Sequence, residues 1–224
     1  MLYGEISMST LLVFLVAIFL SAKPDIEAKN NNRTIIETIE ESGAGANTYI
    51  IARGGEAAII DAGANLRQVS EIMDKYKLSV KYIILTHGHS DHILFADKYK
   101  TKYKAIVALH SGDLSFARRH KNLKIDTWLK GDETLYLAGK ELKIIHTPGH
   151  SRGGISILFD NNLFTGDALF KETIGRTDFA GGNYDELIKS IKTKLLIMPD
   201  STPIYPGHGE QSTIGYERQN NPFF

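Results

Sequence analysis

Three histidines and one aspartate stand within the seven-residue stretch THGHSDH, directly after the apolar run VKYIIL. His87 and His89 are two positions apart on a turn and can point the same way. Asp91 and His92 begin the next helix and can face a second point nearby. Imidazole nitrogens and carboxylate oxygens are the ligands that zinc and similar divalent ions take from proteins. The spacing therefore indicates a metal-binding turn.

Four further segments place a polar side chain at the end of an apolar strand. They are IIDAG with Asp61, IIHTPGHS with His150, FTGDALF with Asp167 and YPGHGE with His208. Loops at the carboxyl ends of strands in an α/β sheet collect at one edge, so we expect these side chains to meet the histidine-rich turn. Two ions about 3.5 to 4 Å apart need a bridging carboxylate, which Asp167 would supply. Asp61 is expected to be a cap or turn residue that stabilises a loop beneath the metals.

The charge balance limits the partners of the chain. Lys and Arg together number 26, as do Asp and Glu, so the molecule as a whole has no field that attracts nucleic acid or acidic membranes. The run KYKTKYK, residues 98–104, is interpreted as a solvated helix end that leads into a strand. The chain contains no cysteine, which excludes disulfides and thiolate metal ligands.

An apolar run near the start, LLVFLVAIFL at residues 11–20, has the length of a signal-peptide core, and a polar linker follows it. We expect residues 1–32 to be a signal peptide plus linker and the protein to be exported, to the periplasm or the secretory pathway. A short uncleaved membrane anchor at residues 8–22 is the alternative, and the protein is cytoplasmic if the segment is not a signal. Glu5 precedes the run and no Lys or Arg does, which departs from the usual signal-peptide pattern.

Strands and helices interleave through the rest of the chain, which predicts one α/β domain at residues 33–224 with mixed sheets. Gly54 and Gly55 predict a hairpin turn, and Asn161 with Asn162 predicts another. Strands are expected in TIIETI, NTYIIAR, EAAIID, VKYIILT, AIVAL, ETLYL, ELKIIHT, ISILFD, NLFTG and, as the final strand, TPIYPG.

Three helices are predicted from the same pass along the chain. Apolar residues at three- and four-residue steps indicate an amphipathic helix in NLRQVSEIMDKYKL. A second helix is expected to start at Ser111, and a third to span residues 185–198.

The four motifs THGHSDH, HTPGHS, FTGDALF and YPGHGE, in this order, resemble those of the metallo-β-lactamase superfamily from about residue 34 to the C-terminus. The resemblance implies a four-layer αββα sandwich, in which two mixed β-sheets pack together with helices outside. It also implies the ligands of two ions: His87, His89 and His150 for the first, Asp91, His92 and His208 for the second, and Asp167 as the bridge.

The resemblance implies hydrolysis at two divalent ions, zinc or alternatively iron or manganese. Zinc lowers the pKa of a bound water from 15.7 to about 7, so a hydroxide that bridges the ions, held with Asp167, would attack a carbonyl carbon. Asp91 is expected to orient that hydroxide as well as to bind metal. The sequence has no G-x-S-x-G elbow and no cysteine, so a covalent acyl-enzyme route has no support.

Within the superfamily, GDALFKETIGRTDF and GHGEQSTIGYERQNNP look similar to short glyoxalase II-like hydrolases, which are thioesterases that act on hydroxyacyl-glutathione. Arg176 matches the basic position that receives a substrate carboxylate there, which predicts a small anionic thioester or ester substrate. A salt bridge to Asp178 is the alternative role for Arg176. Sixteen residues follow His208, so the C-terminal helical domain that grips glutathione in the long form is missing, and glutathione specificity is doubtful.

Persulfide dioxygenases are the main alternative, since they share the HxHxDH turn and a similar GRTDF stretch. They use a single iron, which His87, His150 and Asp167 would hold here. A lactonase and a non-catalytic metal-binding protein are weaker alternatives. A β-lactamase of the cysteine-ligand type is disfavoured because Asp167 occupies the cysteine position, and RNA processing is disfavoured by the neutral charge. The histidines outside the pattern, His110, His120 and His146, are expected to be structural or ordinary core and surface residues.

Overall fold

The computed structural model describes residues 32–40 and 45–224. The expected signal peptide or anchor, with nearly all of its linker, lies outside these residues. Within the described ranges, no helix has both the length and the apolar character needed to span a membrane.

The first sheet contains six strands in sequence order. The strands are β1 (Ile35–Ile39), β2 (Thr48–Arg53), β3 (Glu56–Ile60), β4 (Ser79–Ile84), β5 (Ile106–His110) and β6 (Thr127–Leu129). The first three pair antiparallel, and Gly54 and Gly55 adopt positive φ in the predicted hairpin turn between β2 and β3. From β3 to β6 the pairing is parallel, so the carboxyl ends of β3, β4 and β5 lie at one edge.

The second sheet also has six strands, in the order β14-β13-β10-β9-β8-β7. Its strands are β7 (Thr134–Leu137), β8 (Lys140–His146), β9 (Ile155–Phe159), β10 (Asn162–Gly166), β13 (Pro203–Pro206) and β14 (Ser212–Thr213). β10 and β13 are parallel, and the other pairs are antiparallel. β11 (Leu169–Phe170) and β12 (Thr173–Ile174) form a separate two-stranded sheet, which packs against the second sheet.

Six α-helices cover the sheets in the described part of the chain. They are α1 (Leu66–Tyr76), α2 (Ser90–Ile93), α3 (Ala96–Tyr103), α4 (Leu114–Ala117), α5 (Tyr184–Ser190) and α6 (Ile214–Asn220). α1 begins with a capping box, in which Asn65 and Gln68 each bind a backbone N–H of the other. α3 ends at Tyr103 with Lys104 as its C-cap, and β5 starts at Ile106, so the lysine-rich run is a helix end that leads into a strand.

Alternation along the strands divides the core into layers. Ile50 and Ile59 pack with the helices on the outer face of the first sheet, while their neighbours Ile51 and Ile60 pack between the sheets. A third cluster joins the outer face of the second sheet to α5 and α6, with Leu187 and Ile214 at its centre. The αββα sandwich implied by the resemblance is therefore confirmed.

Several predicted boundaries were wrong. The helix expected from Ser111 is a 3₁₀ turn (Ser111–Asp113) followed by the four-residue α4, and the helix expected over residues 185–198 changes to a π-helical turn (Ile191–Leu195). Positive φ falls at Asp160 and Asn161 rather than at Asn161 and Asn162. The strand in TPIYPG is not the final one, because β14 and then α6 follow it.

Candidate metal centre

The loops after five strands carry polar side chains to one edge of the sandwich. Asp61 follows β3, and THGHSDH connects β4 to α2. His150, Asp167 and His208 follow β8, β10 and β13. Because the two sheets pack face to face, these strand ends bring the predicted ligands of both sheets to a common centre.

Three imidazole rings form the first triad of this centre. His89 Nδ1 lies 2.9 Å from His87 Nε2 and 2.9 Å from His150 Nε2. His87 and His150 are buried, while His89 is half-buried. The three nitrogens thus converge on one point that opens toward solvent on the side of His89.

The second triad combines two imidazoles with a carboxylate. His208 Nε2 lies 3.1 Å from Asp91 Oδ2 and 3.3 Å from His92 Nε2. The distance between His92 Nε2 and Asp91 Oδ2 is 3.6 Å. These atoms thus form a second group of possible ligands, and Asp91 and His92 belong to it as the spacing of the turn predicted.

Asp167 lies between the two triads. Its Oδ2 is 3.5 Å from His150 Nε2 and 4.0 Å from His87 Nε2, both in the first triad. The same carboxylate reaches the second triad, with Oδ1 3.2 Å from His92 Nε2 and Oδ2 3.7 Å from His208 Nε2. The structure therefore brings all seven predicted side chains together, with the one expected to bridge in the middle.

Hydrogen bonds behind the rings set which nitrogen faces the centre. His92 Nδ1–H donates to Asp61 Oδ2 at 2.8 Å, and His150 Nδ1–H donates to the carbonyl of Arg176 at 2.7 Å. His87 Nδ1 is 3.2 Å from Thr86 Oγ1, whose hydroxyl donates to Asp61. Each Nε2 is left with a lone pair directed inward, the usual arrangement of metal-binding histidines.

Burial and neighbouring charges shift the pKa values of the clustered side chains in different directions. Burial lowers the pKa of His87 well below its usual range, and the neighbouring histidines lower it further. Burial also acts against a charged His92, but the carboxylates of Asp167 and Asp61 outweigh it and raise the pKa well above the usual value. For Asp91, burial acts to raise the pKa, yet the hydrogen bond from His208 and the charge of His92 hold it at about 2. Divalent cations bind neutral imidazole and ionised carboxylate, so a cation at this centre must displace the proton that Asp167 and Asp61 favour on His92.

The donor set fits divalent ions. The ligand atoms of His87, His89 and His150 lie within 4.8 Å of one another, as do those of Asp91, His92 and His208. Asp167 Oδ1 is buried and receives no hydrogen bond from the described residues. A buried charged oxygen without a donor is costly unless a cation satisfies it, so the chemistry of the cluster favours bound metal.

Asp113, which the sequence reasoning missed, anchors the backbone of both ligand loops. Its Oδ2 accepts from the N–H of Gly88 and from Ser151 Oγ, each at 2.8 Å, and its Oδ1 accepts from the N–H of Gly153 at 2.8 Å. Gly88 separates two ligands, and Ser151 follows a third. The available signal was its place just after β5, the same strand-end position that identified Asp61.

Replacing Asp113 with Asn is expected to loosen both loops. The Asn side chain keeps one acceptor oxygen, but its N–H₂ end cannot accept, so at least one buried donor loses its partner, at a cost of about 1–3 kcal/mol in the free energy of unfolding. With chelator present, we expect the Asp113→Asn variant to unfold at a lower denaturant concentration than wild type. Without chelator, the variant should retain less metal. Glu71→Gln, on the exposed face of α1, is the control. An unchanged midpoint in the Asp113 variant would show that the two loops keep their conformation without the hydrogen bonds to this carboxylate.

A cleft of about 880 Å³ opens over the centre. Arg176 lines it, but its guanidinium forms two hydrogen bonds with Asp178, at 2.7 and 2.6 Å, and stacks 3.8 Å above the ring of Phe179. Arg176 thus forms the salt bridge to Asp178 that was considered from the sequence, and it also lines the cleft. The role of Arg176 toward a substrate remains a prediction.

The three remaining histidines of the prediction lie outside the triads. His110 and His146 stack on each other with ring centroids 4.1 Å apart, and His146 Nε2 is 3.0 Å from the carbonyl of Arg152. Their packing on each other is consistent with the expected structural role, which stays a prediction. His120 instead lines the cleft beside Arg119, which the interpretation of His120 as an ordinary residue did not foresee.

Comparison with known proteins finds a matching family and several relatives of this chain. Residues 43–208 match the model of the Metallo-beta-lactamase superfamily. A probable metallo-hydrolase of Streptococcus pyogenes is 36% identical over 200 residues, which cover 81% of this chain and 86% of that protein. Hydroxyacylglutathione hydrolase GloC of Haemophilus influenzae is 37% identical over 183 residues, covering 75% of this chain and 86% of that protein.

Two solved structures extend the comparison. ETHE1 from Myxococcus xanthus superposes with a TM-score of 0.71 at 27% identity, covering 84% of this chain and 83% of that one. The di-iron-bound form of TTHA1623 gives a TM-score of 0.73 at 28% identity, covering 84% of this chain and 100% of that one.

Proposed function

This chain belongs to the metallo-beta-lactamase superfamily of metal-dependent hydrolases, and we propose that its reaction is the hydrolysis of a thioester at two divalent ions. The observation that carries the proposal is the pair of ligand triads with Asp167 between them. Each triad offers three ligand atoms, and the shared carboxylate reaches both. A single-ion site has no need of the second triad.

The relatives support the choice of a thioester. GloC of Haemophilus influenzae bears the name of a hydroxyacylglutathione hydrolase, and the di-iron form of TTHA1623 holds two ions. We propose zinc as the metal here, with iron or manganese as alternatives, because imidazole and carboxylate ligands suit all three.

Divalent ions at this centre supply Lewis acidity, which polarises a carbonyl and lowers the pKa of a water to about 7. The protein orients the reactants. Asp91 Oδ2, part-exposed at the floor of the cleft, accepts a hydrogen bond from the attacking water and so aims it at the thioester carbon. His87, His89 and His150 hold one side of the centre and Asp167 the middle. Attack of the water on the carbonyl carbon would break the C–S bond. The water oxygen would stay on the acyl group as a carboxylate, its two protons would pass to solvent, and the thiolate would leave through the open cleft, with no covalent bond to the chain.

The cleft also suits a small anionic substrate. Its wall beyond the ligands is apolar at Phe116, Phe170 and Phe179 and cationic at Arg119 and Arg176. An anionic thioester would place its carbonyl at the metals and its charge toward the arginines. We propose this substrate class and no nucleic-acid partner.

Persulfide dioxygenation is the second candidate, because ETHE1 from Myxococcus xanthus shares the fold at 27% identity. The iron of such an enzyme would be held by His87, His150 and Asp167, whose ligand atoms also lie close together. The two candidates differ in metal count and in the need for oxygen.

The full-length protein purified without added metal is expected to contain two ions per chain and to hydrolyse S-lactoylglutathione or a simple acyl thioester without oxygen uptake. Metal analysis by mass spectrometry, release of free thiol and an oxygen electrode measure the three quantities. One iron per chain, with oxygen consumed when glutathione persulfide is added, would replace the hydrolase proposal with the dioxygenase.

A further inference from the structure

Two cation–aromatic pairs flank His89 in the wall of the cleft. The ring of Phe116 meets the His89 ring edge-on at 4.9 Å between centroids, and the guanidinium of Arg119 lies 5.4 Å from the centroid of Phe116. On another side Phe179 meets His89 edge-on at 5.6 Å, and Arg176 stacks on Phe179. Both arginines therefore reach the cleft next to the same metal-facing histidine.

The two arginines differ in their charge balance. Arg176 is neutralised by Asp178, with which it shares two hydrogen bonds. Arg119 is exposed and, across residues 32–40 and 45–224, has no acidic side chain within ion-pair distance. The acidic residues that line the cleft, Asp91 and Asp167, belong to the metal centre. The uncompensated positive charge of the cleft wall is therefore that of Arg119.

We propose that Arg119 is the specificity-determining residue that binds a carboxylate in the thiol half of the substrate, in place of Arg176. The inference rests on the proposed thioesterase function and names which substrates that function prefers. The planar guanidinium matches a carboxylate and binds it through charge-assisted hydrogen bonds. Phe116, between Arg119 and His89, offers an apolar surface along which the thiol half lies.

Arg119→Gln tests the proposal, because it removes the charge and keeps a polar side chain of similar length. S-lactoylglutathione, whose thiol half has carboxylates, is compared with the neutral thioester S-lactoyl-N-acetylcysteamine, which has the same acyl group. We expect the KM for S-lactoylglutathione to rise about tenfold with little change in kcat, since the contact is equal in ground and transition states. The KM for the neutral thioester should stay within about twofold of wild type.

Two matched variants serve as controls. Arg118→Gln removes an exposed charge one residue away that does not line the cleft, and it should leave both KM values unchanged. Arg176→Gln removes the paired arginine, and it should raise the KM for S-lactoylglutathione by less than about threefold.

Binding of S-hexylglutathione, a thioether that has the carboxylates and cannot be hydrolysed, gives a readout independent of turnover. Calorimetry should show about tenfold weaker binding to Arg119→Gln than to wild type. Equal KM values and equal binding in wild type and Arg119→Gln would overturn the assignment. So would a tenfold rise in the KM for S-lactoylglutathione in Arg176→Gln instead of in Arg119→Gln. If the wild-type protein hydrolyses neither thioester, it is the proposed function that fails, whatever the variants bind.

Discussion

Replacing Asp167 with Asn is expected to abolish thioester turnover and to lower the metal content of the protein below two ions per chain. The side chain is the one that reaches both triads, 3.2 Å from His92 Nε2 through Oδ1 and 3.5 Å from His150 Nε2 through Oδ2. Asn has nearly the same shape, so the fold should be preserved while the charge and one acceptor oxygen are lost.

The expected loss in kcat is at least about 10²–10³-fold, the range found when one well-placed electrostatic contact at a reacting centre is removed. The amide also presents its N–H₂ group toward one triad, where it repels rather than attracts a cation. Both effects act on the ions directly, which is why this change should exceed those at Asp113 or Arg119.

Turnover by the metal-analysed Asp167→Asn protein is the measurement, with Asp74→Asn on the exposed side of α1 as the control for loss of one carboxylate. The control should match wild type in both metal content and kcat. An Asp167→Asn protein with two ions and wild-type turnover would mean that the bridge has been assigned to the wrong residue.

The sequence predicted which side chains lie together at the sheet edge because its signals are local. In THGHSDH, three histidines and an aspartate directly follow the strand β4. Their place at the sheet edge therefore depends on that one strand and not on contacts with distant segments. Asp167 and His208 gave the same signal, a polar residue directly after an apolar run. The helix α1 was equally clear from its apolar period, and in the structure Asn65 caps its N-terminus.

The elements that were missed depend on contacts between distant segments. β6 has three residues, and β11 and β12 have two each, too few for any alternation to appear. Asp113 is identified by donors 25 and 40 residues away in sequence. Arg119 stands in a run of four basic residues, Arg118 to Lys121, and only the folded structure shows that Arg119 and His120 line the cleft while Arg118 does not.

Gly207→Ala is expected to inactivate the protein although it removes no ligand and adds a single methyl group. A Cβ at this position would lie 2.2 Å from Asp167 Oδ1 and 2.7 Å from His92 Cε1. His92 is buried and bonded to Asp61, and Asp167 lies among four of the histidines, so the clash cannot be relieved by a small shift that keeps these contacts. The bridging carboxylate must therefore move away from its place between the triads.

A shift of about 1 Å at a reacting centre costs on the order of 10²-fold in rate, and we expect at least that loss in kcat for Gly207→Ala, together with weaker binding of one ion. Gly209→Ala is the matched control on the other side of His208. A Cβ there meets nothing within 4 Å, although the φ of +72° strains an alanine by about 1–2 kcal/mol. Gly209→Ala should thus lose stability and keep its turnover, whereas Gly207→Ala should lose its turnover. Wild-type turnover in both variants would show that Asp167 can move without loss of rate, and that its position between the triads is not required for turnover.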